Sequence, residues 1–146
     1  MHQPDHRMRP YALRAGEGWI YRLGIDFAVK ASEIQASSGA AVMEYETKKG
    51  EEPDPHTHPT EDEMFYVLEG AITFRCGDET FDLEKGGFVS LPRGVQHGYT
   101  IRSEAPVRLL IVTAPVREGV EGGWGGFVSD LELGQGELVR KPDFDD

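Results

Sequence analysis

Histidine and carboxylate side chains cluster in the middle of this chain, and their spacing favours metal binding. His56 and His58 are separated by one residue, Glu63 follows His58 after a short polar stretch, and His97 lies about forty residues further on. Alternate residues of an extended strand face the same side, so the two imidazoles could converge on one ion. Lone histidines are usually surface groups without a common target, and that remains the alternative for each of these residues taken alone.

Turn-forming segments indicate how the other two side chains could reach the same ion. Segment 59–62, Pro-Thr-Glu-Asp, is typical of a turn, and a chain reversal there would return the Glu63 carboxylate to the imidazoles. Segment 92–94, Pro-Arg-Gly, is a second turn, after which His97 would enter from a neighbouring strand. We interpret Glu61 and Asp62 as solvated turn charges, although either could replace Glu63 as the carboxylate.

Three neutral imidazoles and one carboxylate form a mixed nitrogen and oxygen donor set. Such a set suits Fe(II), Mn(II), Ni(II), Co(II), Cu(II) or Zn(II). One or two coordination positions would remain for water or substrate. We therefore predict one divalent transition metal ion per chain, with His56, His58, Glu63 and His97 as its ligands.

The elements that must position these side chains are predicted to be short strands. Eighteen Gly and nine Pro interrupt apolar stretches that are too short for ordinary helices, which is typical of an all-β protein. The helical pattern is weak and confined to turns within 118–124 or 128–132. Candidate strands are 19–23, 40–46, 64–68, 71–76, 79–83, 88–91, 98–101 and 107–113.

Several strands are apolar on both faces, notably 64–68 and 109–112, so both faces must be covered. One face would line an interior, and a second sheet, a tail or another subunit would cover the other. A homodimer is therefore predicted. A second group of residues could line a cavity for an apolar or aromatic ligand: Met43, Tyr45, Phe65, Phe74, Phe88 and Tyr99.

The two ends differ from the middle of the chain. Residues 1–18 are predicted to be a flexible N-terminal segment, and 115–146 an acidic C-terminal extension. Trp124 and Phe127 lie among glycines in that extension. Two large aromatic side chains need a surface to bury against, so we expect the extension to pack on the β domain.

Composition limits the class of protein. With 15 basic and 26 acidic residues among 146, the net charge is −11 and the length suits one domain with a substantial core. The acidic balance disfavours nucleic acid and anionic membranes, which leaves a small molecule as the expected partner. A single cysteine, Cys76, excludes an intrachain disulfide. No apolar run approaches the roughly 20 residues that span a bilayer. We therefore predict a cytoplasmic protein.

Two sequence motifs resemble those of the cupin superfamily. The first runs Gly50, five residues, His56-Thr57-His58, four residues, Glu63, six residues and Gly70. The second runs Gly86, five residues, Pro92-Arg93-Gly94, two residues and His97, and fifteen residues separate Gly70 from Gly86. In one departure, Ile101 stands where the second motif commonly ends in Asn.

The resemblance implies a cupin-type jelly-roll β-barrel, or double-stranded β-helix, over residues 19–114. It also implies a metal ion inside the barrel, held by His56, His58, Glu63 and His97. Asn is not a ligand in this motif, so Ile101 leaves metal binding intact and makes the pocket more apolar.

Three functions are compatible with this resemblance. The leading one is a metal-dependent dioxygenase similar to quercetinase-like cupins, in which Glu63 either binds the metal or accepts a substrate proton. The second is a redox-neutral isomerase or polyketide-type cyclase that uses the metal as a Lewis acid. The third is a small-molecule binding protein without turnover. Substrate-dependent oxygen consumption separates the first two, and binding without product formation identifies the third.

Overall fold

The computed structural model describes residues 9–32, 39–59, 61–115 and 127–143. Within these ranges the regular secondary structure is almost entirely β-strand, as predicted. The strands are β1 (Trp19–Leu23), β2 (Ile25–Ala31), β3 (Ala41–Thr47), β4 (Glu61–Glu69), β5 (Ala71–Cys76), β6 (Glu79–Glu84), β7 (Phe88–Leu91), β8 (His97–Ile101), β9 (Val107–Pro115) and β10 (Glu137–Arg140). A short helix, α1 (Phe127–Asp130), continues into a π-helical turn, Leu131–Gln135.

The strands form two antiparallel sheets. The larger has the order β10-β1-β2-β3-β9-β4-β7, and the smaller has the order β6-β5-β8. Neighbouring strands are often distant in sequence, as in β3 and β4, which both pair with β9. This architecture confirms the predicted all-β jelly-roll.

The core lies between the two sheets. Alternate residues of β4 and β9 point inward, including Phe65, Val67 and Leu109, because side chains along a strand alternate between its faces. Phe65 packs against Phe74 of the smaller sheet, with ring centroids 5.0 Å apart. The inward face of each sheet is therefore apolar, so any polar group on that face requires a partner.

Two strands were not predicted from the sequence. β2 follows β1 after the single residue Gly24, so the break between them is too short to mark two elements. All four residues of β10 are exposed, and its backbone pairing with β1 leaves no hydrophobic pattern to detect. The predicted helical turn at 128–132 coincides with α1 and the π-helical turn, whereas the one at 118–124 lies outside the described residues.

Both chain ends contact the sheet where the structure describes them. Tyr11, from the segment predicted to be flexible, packs edge-on against Trp19 at 5.7 Å, and its hydroxyl donates a hydrogen bond to the Lys30 carbonyl. At the other end, Val128 and Leu131 are fully buried. Trp124 lies outside the described residues.

The outward face of the larger sheet carries apolar side chains on adjacent strands. Val42, Val112 and Met64 lie opposite one another across β3, β9 and β4, and Tyr66 is 43% exposed. The predicted homodimer, in which a partner covers this face, stays a prediction. Among the described residues, no helix has the length and apolar character that crossing a membrane requires.

The turn between β4 and β5 provides a test of the packing between the sheets. Gly70 and Gly50 both have left-handed backbone, with φ of +93° and +95°. A Cβ at Gly70 would lie 2.5 Å from Val107 Cγ1 and 3.0 Å from Val107 Cα, whereas a Cβ at Gly50 would meet nothing within 4 Å.

We expect Gly50→Ala to lower the free energy of unfolding by about 1–3 kcal/mol, through backbone strain alone. Gly70→Ala should cost about 1–3 kcal/mol more, because the crowded methyl group must displace β9. Urea denaturation of the two variants measures the difference. Equal losses would show that the turn has room for a side chain.

Candidate metal centre

Backbone hydrogen bonds hold the two histidine segments together. The His56 N–H donates to the His97 carbonyl and the His97 N–H donates to the His56 carbonyl, each over 2.9 Å. The Gly94 N–H donates to the His58 carbonyl, also over 2.9 Å. The loop between β3 and β4 is thereby joined to the start of β8, which brings residues forty positions apart in sequence side by side.

The four predicted ligands meet at this junction. One donor atom from each of His56, His58, Glu63 and His97 lies within 4.8 Å of the other three. Glu63 Oε1 is 2.8 Å from His58 Nε2 and 3.0 Å from His97 Nε2. Glu63 and His97 are buried, whereas His56 and His58, in the loop before β4, are partly exposed.

The buried atoms at this junction lack hydrogen-bond partners. Glu63 Oε1 and both ring nitrogens of His97 have none among the described residues, although Glu63 Oε1 is close to two imidazoles. His56 Nδ1 lies 2.9 Å from the Asp54 carbonyl, so Nδ1–H donates there and Nε2 carries the free lone pair. Buried polar atoms without partners are costly, and a shared divalent cation would satisfy Glu63 Oε1 and the His97 Nε2 beside it. The residues therefore fit the predicted metal ion.

The pKa values of Glu63 and His58 are both shifted by their neighbours in the cluster. Burial alone raises the pKa of Glu63, but the neighbouring imidazoles of His58 and His97 outweigh it and lower the pKa to about 2. The carboxylates of Glu61 and then Glu63 raise the pKa of His58 to about 10, against the opposing effect of burial. In the absence of metal, the cluster therefore holds a carboxylate beside a protonated imidazole at neutral pH.

The interpretation of Glu61 and Asp62 as solvated turn charges is wrong for Glu61. β4 begins at Glu61, so Glu61 shares the inward face with Glu63 and its side chain is 1% exposed. Its Oε1 lies 3.1 Å from His58 Nδ1. Asp62 faces outward, where Oδ1 accepts a hydrogen bond from the Arg93 N–H. The alternation of β4 could have predicted this if the strand had been extended toward its start.

A cavity of about 430 Å³ opens beside the four polar side chains. Of the residues predicted to line a cavity, Met43, Tyr45, Phe65 and Tyr99 do so, whereas Phe74 lies in the core between the sheets and Phe88 is 56% exposed. Phe27, Ile111 and Phe127 complete much of the apolar wall.

Two tyrosines place a polar group within this apolar wall. The Tyr45 and Tyr99 hydroxyl oxygens are 3.0 Å apart. Burial raises the pKa of Tyr45 well above its usual value and raises the pKa of Tyr99 to about 12, so both stay neutral. One hydroxyl hydrogen forms their mutual bond, which leaves the other to donate to a molecule in the cavity. The sequence predicts both residues in the cavity wall but carries no pattern that pairs them.

Comparison with known proteins places this architecture in a family. Residues 43–113 match the family model described as a cupin domain. A quercetin 2,3-dioxygenase from Bacillus subtilis (strain 168) is 30% identical over 95 residues, which are 64% of this chain. The chain spans only 28% of the length of that enzyme.

Solved structures show the same fold. A predicted oxalate decarboxylase from Thermotoga maritima superposes with a TM-score of 0.64 at 18% identity, over 73% of this chain and 100% of that one. The TT1209 protein of Thermus thermophilus is 34% identical, with a TM-score of 0.50, over 54% of this chain and 76% of that one. With both ligand motifs inside the matched region, residues 43–113 are a cupin domain.

Proposed function

We propose that this protein is a metal-dependent dioxygenase that acts on a small apolar or aromatic molecule. The observation that carries the proposal is the placement of a histidine and carboxylate cluster at the wall of an aromatic cavity. The cavity volume falls within the range of small-molecule sites. Similarity to a quercetin 2,3-dioxygenase supports an oxidative reaction, although the match covers a minor part of that enzyme.

The chain's own residues would have separate roles in this reaction. The bound metal would supply Lewis acidity and an electron-transfer route to O2. Glu63, the carboxylate of the cluster, would accept a proton from an acidic hydroxyl of the substrate. The free hydroxyl hydrogen of the tyrosine pair would orient a substrate oxygen, while Phe27 and Phe65 exclude water.

The proposed setting of this activity is the cytoplasm. The single cysteine, Cys76, is compatible with a reducing compartment, and the net charge of −11 disfavours nucleic acid and anionic membranes as partners. A small-molecule substrate remains the expected partner of the monomer or of the predicted homodimer.

Labelled oxygen distinguishes the proposed activity from the alternatives. Protein loaded in turn with Fe(II), Mn(II), Ni(II), Co(II), Cu(II) or Zn(II) is incubated with phenolic and 1,3-diketone compounds under isotopically labelled O2. We expect one O2 consumed per substrate molecule, with both labelled atoms in the products. A product isomeric with its substrate and free of label would instead identify a Lewis-acid isomerase or cyclase. Tight binding of a compound without any product would identify a binding protein.

Glu63→Gln should reduce activity more than it reduces metal content. Three imidazoles are enough to hold an ion, whereas an amide cannot accept a proton as a carboxylate does. We expect metal content near one ion per chain and turnover below roughly 1% of wild type. Asp62→Asn is the matched control, because it makes the same change one residue away on the outward face. His97→Ala should lose the metal itself. Parallel loss of metal and activity in Glu63→Gln would make Glu63 a structural ligand only.

Metal affinity should increase with pH well above the normal titration range of histidine. An imidazole must be neutral to bind a metal, and the pKa of His58 is raised to about 10. Each unit of pH between 7 and 9 should therefore strengthen apparent metal affinity by about tenfold. Competition with a chelator of known affinity measures the slope. A plateau above pH 7 would show that His58 titrates near its ordinary pKa of about 6.5.

A further inference from the structure

One carboxylate oxygen outside the predicted ligand set contacts both the metal centre and the C-terminal segment. Glu61 Oε1 lies 3.1 Å from His58 Nδ1 and accepts a hydrogen bond from the Phe127 N–H, also over 3.1 Å. The Glu61 side chain is 1% exposed. A buried carboxylate requires such partners, since water cannot solvate it. Both of its contacts therefore contribute to keeping it inside the barrel.

The contact with His58 determines which nitrogen faces the other ligands. With Nδ1–H directed at Glu61, Nε2 is directed at the cluster, where it lies 2.8 Å from Glu63 Oε1. Partners of this kind fix the ring orientation of metal-binding histidines. Glu61 thus holds the His58 ring in the orientation that a metal requires.

The contact with Phe127 fixes the position of the first residue of α1. The Phe127 ring packs edge-on against Phe27, with centroids 4.9 Å apart, and forms part of the cavity wall. Beyond it, Val128 and Leu131 are 1% and 0% exposed. Segment 127–131 is therefore docked on the barrel by apolar burial and by the hydrogen bond from the Phe127 N–H to Glu61.

We propose that Glu61 is a positioning residue that couples metal binding at His58 to the docking of segment 127–131. The proposal rests on the metal site of the proposed function. Metal binding requires the His58 orientation that Glu61 supports, and docking of Phe127 holds Glu61 in place. Thermodynamic linkage makes the coupling reciprocal: bound metal should strengthen docking, and docking should strengthen metal binding.

Two variants of Phe127 remove the aromatic ring, one with and one without the backbone donor. Phe127→Ala removes the ring and keeps the N–H that bonds Glu61, whereas Phe127→Pro removes both. Proline is tolerated in the first turn of a helix, so the backbone of α1 should survive. We expect Phe127→Pro to bind Zn(II) roughly five-fold or more weakly than Phe127→Ala, as coupling of ordinary size predicts. Equal Zn(II) affinities of the two variants would overturn the coupling.

Substitution of Glu61 tests the other half of the contact. Glu61→Ala and Glu61→Gln both remove the charge that favours the protonated imidazole. Glu61→Ala should bind Zn(II) about 10- to 100-fold more weakly than Glu61→Gln, as is typical when the partner of a ligating histidine is lost. Glu61→Gln keeps an oxygen that can accept from both donors, which Glu61→Ala lacks. If Glu61→Gln binds Zn(II) as weakly as Glu61→Ala, the charge of Glu61 matters and its bridging oxygen does not. That result would contradict the proposed geometry.

Hydrogen exchange measures docking without any reference to activity. In wild type, Zn(II) should slow amide exchange in segment 127–131 by at least about fivefold, and this effect should disappear in Glu61→Ala. Zn(II) binding without any change in exchange there would overturn the proposal and leave the metal site intact. Failure of wild type to bind any of the six metals would instead refute the proposed function, which keeps the two failures distinct.

Discussion

The ionised side chain of Glu63, held on a largely apolar sheet face, is the constraint on which the site depends. A buried carboxylate is unfavourable unless charge and hydrogen-bond donors surround it. Here the surrounding groups are imidazoles from two other parts of the chain, and Glu63 Oε1 lies within 3.0 Å of two of them. The barrel must therefore bring β4, β8 and the loop before β4 together, and its two sheets provide that arrangement.

Sequence spacing was enough to predict the histidine and carboxylate cluster, but not the local structure that carries it. His56 and His58 were expected on one face of a strand, whereas both lie in the loop before β4, where His56 is bridged to His97. The buried Glu61 was missed because the predicted turn, 59–62, covers the first two residues of β4. β10 was missed for a different reason, since a strand held only by backbone pairing has no side-chain pattern. The tyrosine pair joins residues 54 positions apart, a contact that no local pattern encodes.

Aromatic rings connect the metal centre to the C-terminal segment across the cavity. Tyr99 bonds Tyr45, whose ring packs against Phe27 at 4.9 Å, and Phe27 in turn packs against Phe127. Glu61 connects the same two regions through polar contacts with His58 and Phe127. The aromatic row and the Glu61 contacts thus both end at Phe127, which lines the cavity, so the shape of the binding site depends on a residue that lies outside both sequence motifs.

The reciprocal backbone bonds between His56 and His97 also bear on how such a site could change over evolutionary time. Those bonds use only N–H and carbonyl groups, so they would persist whatever side chains the two positions carried. Loss of one imidazole would remove a ligand without dismantling the junction that presents the others. A lineage built on this barrel can therefore exchange its metal or abandon it while the pocket survives, and catalytic and purely ligand-binding descendants can arise from one scaffold.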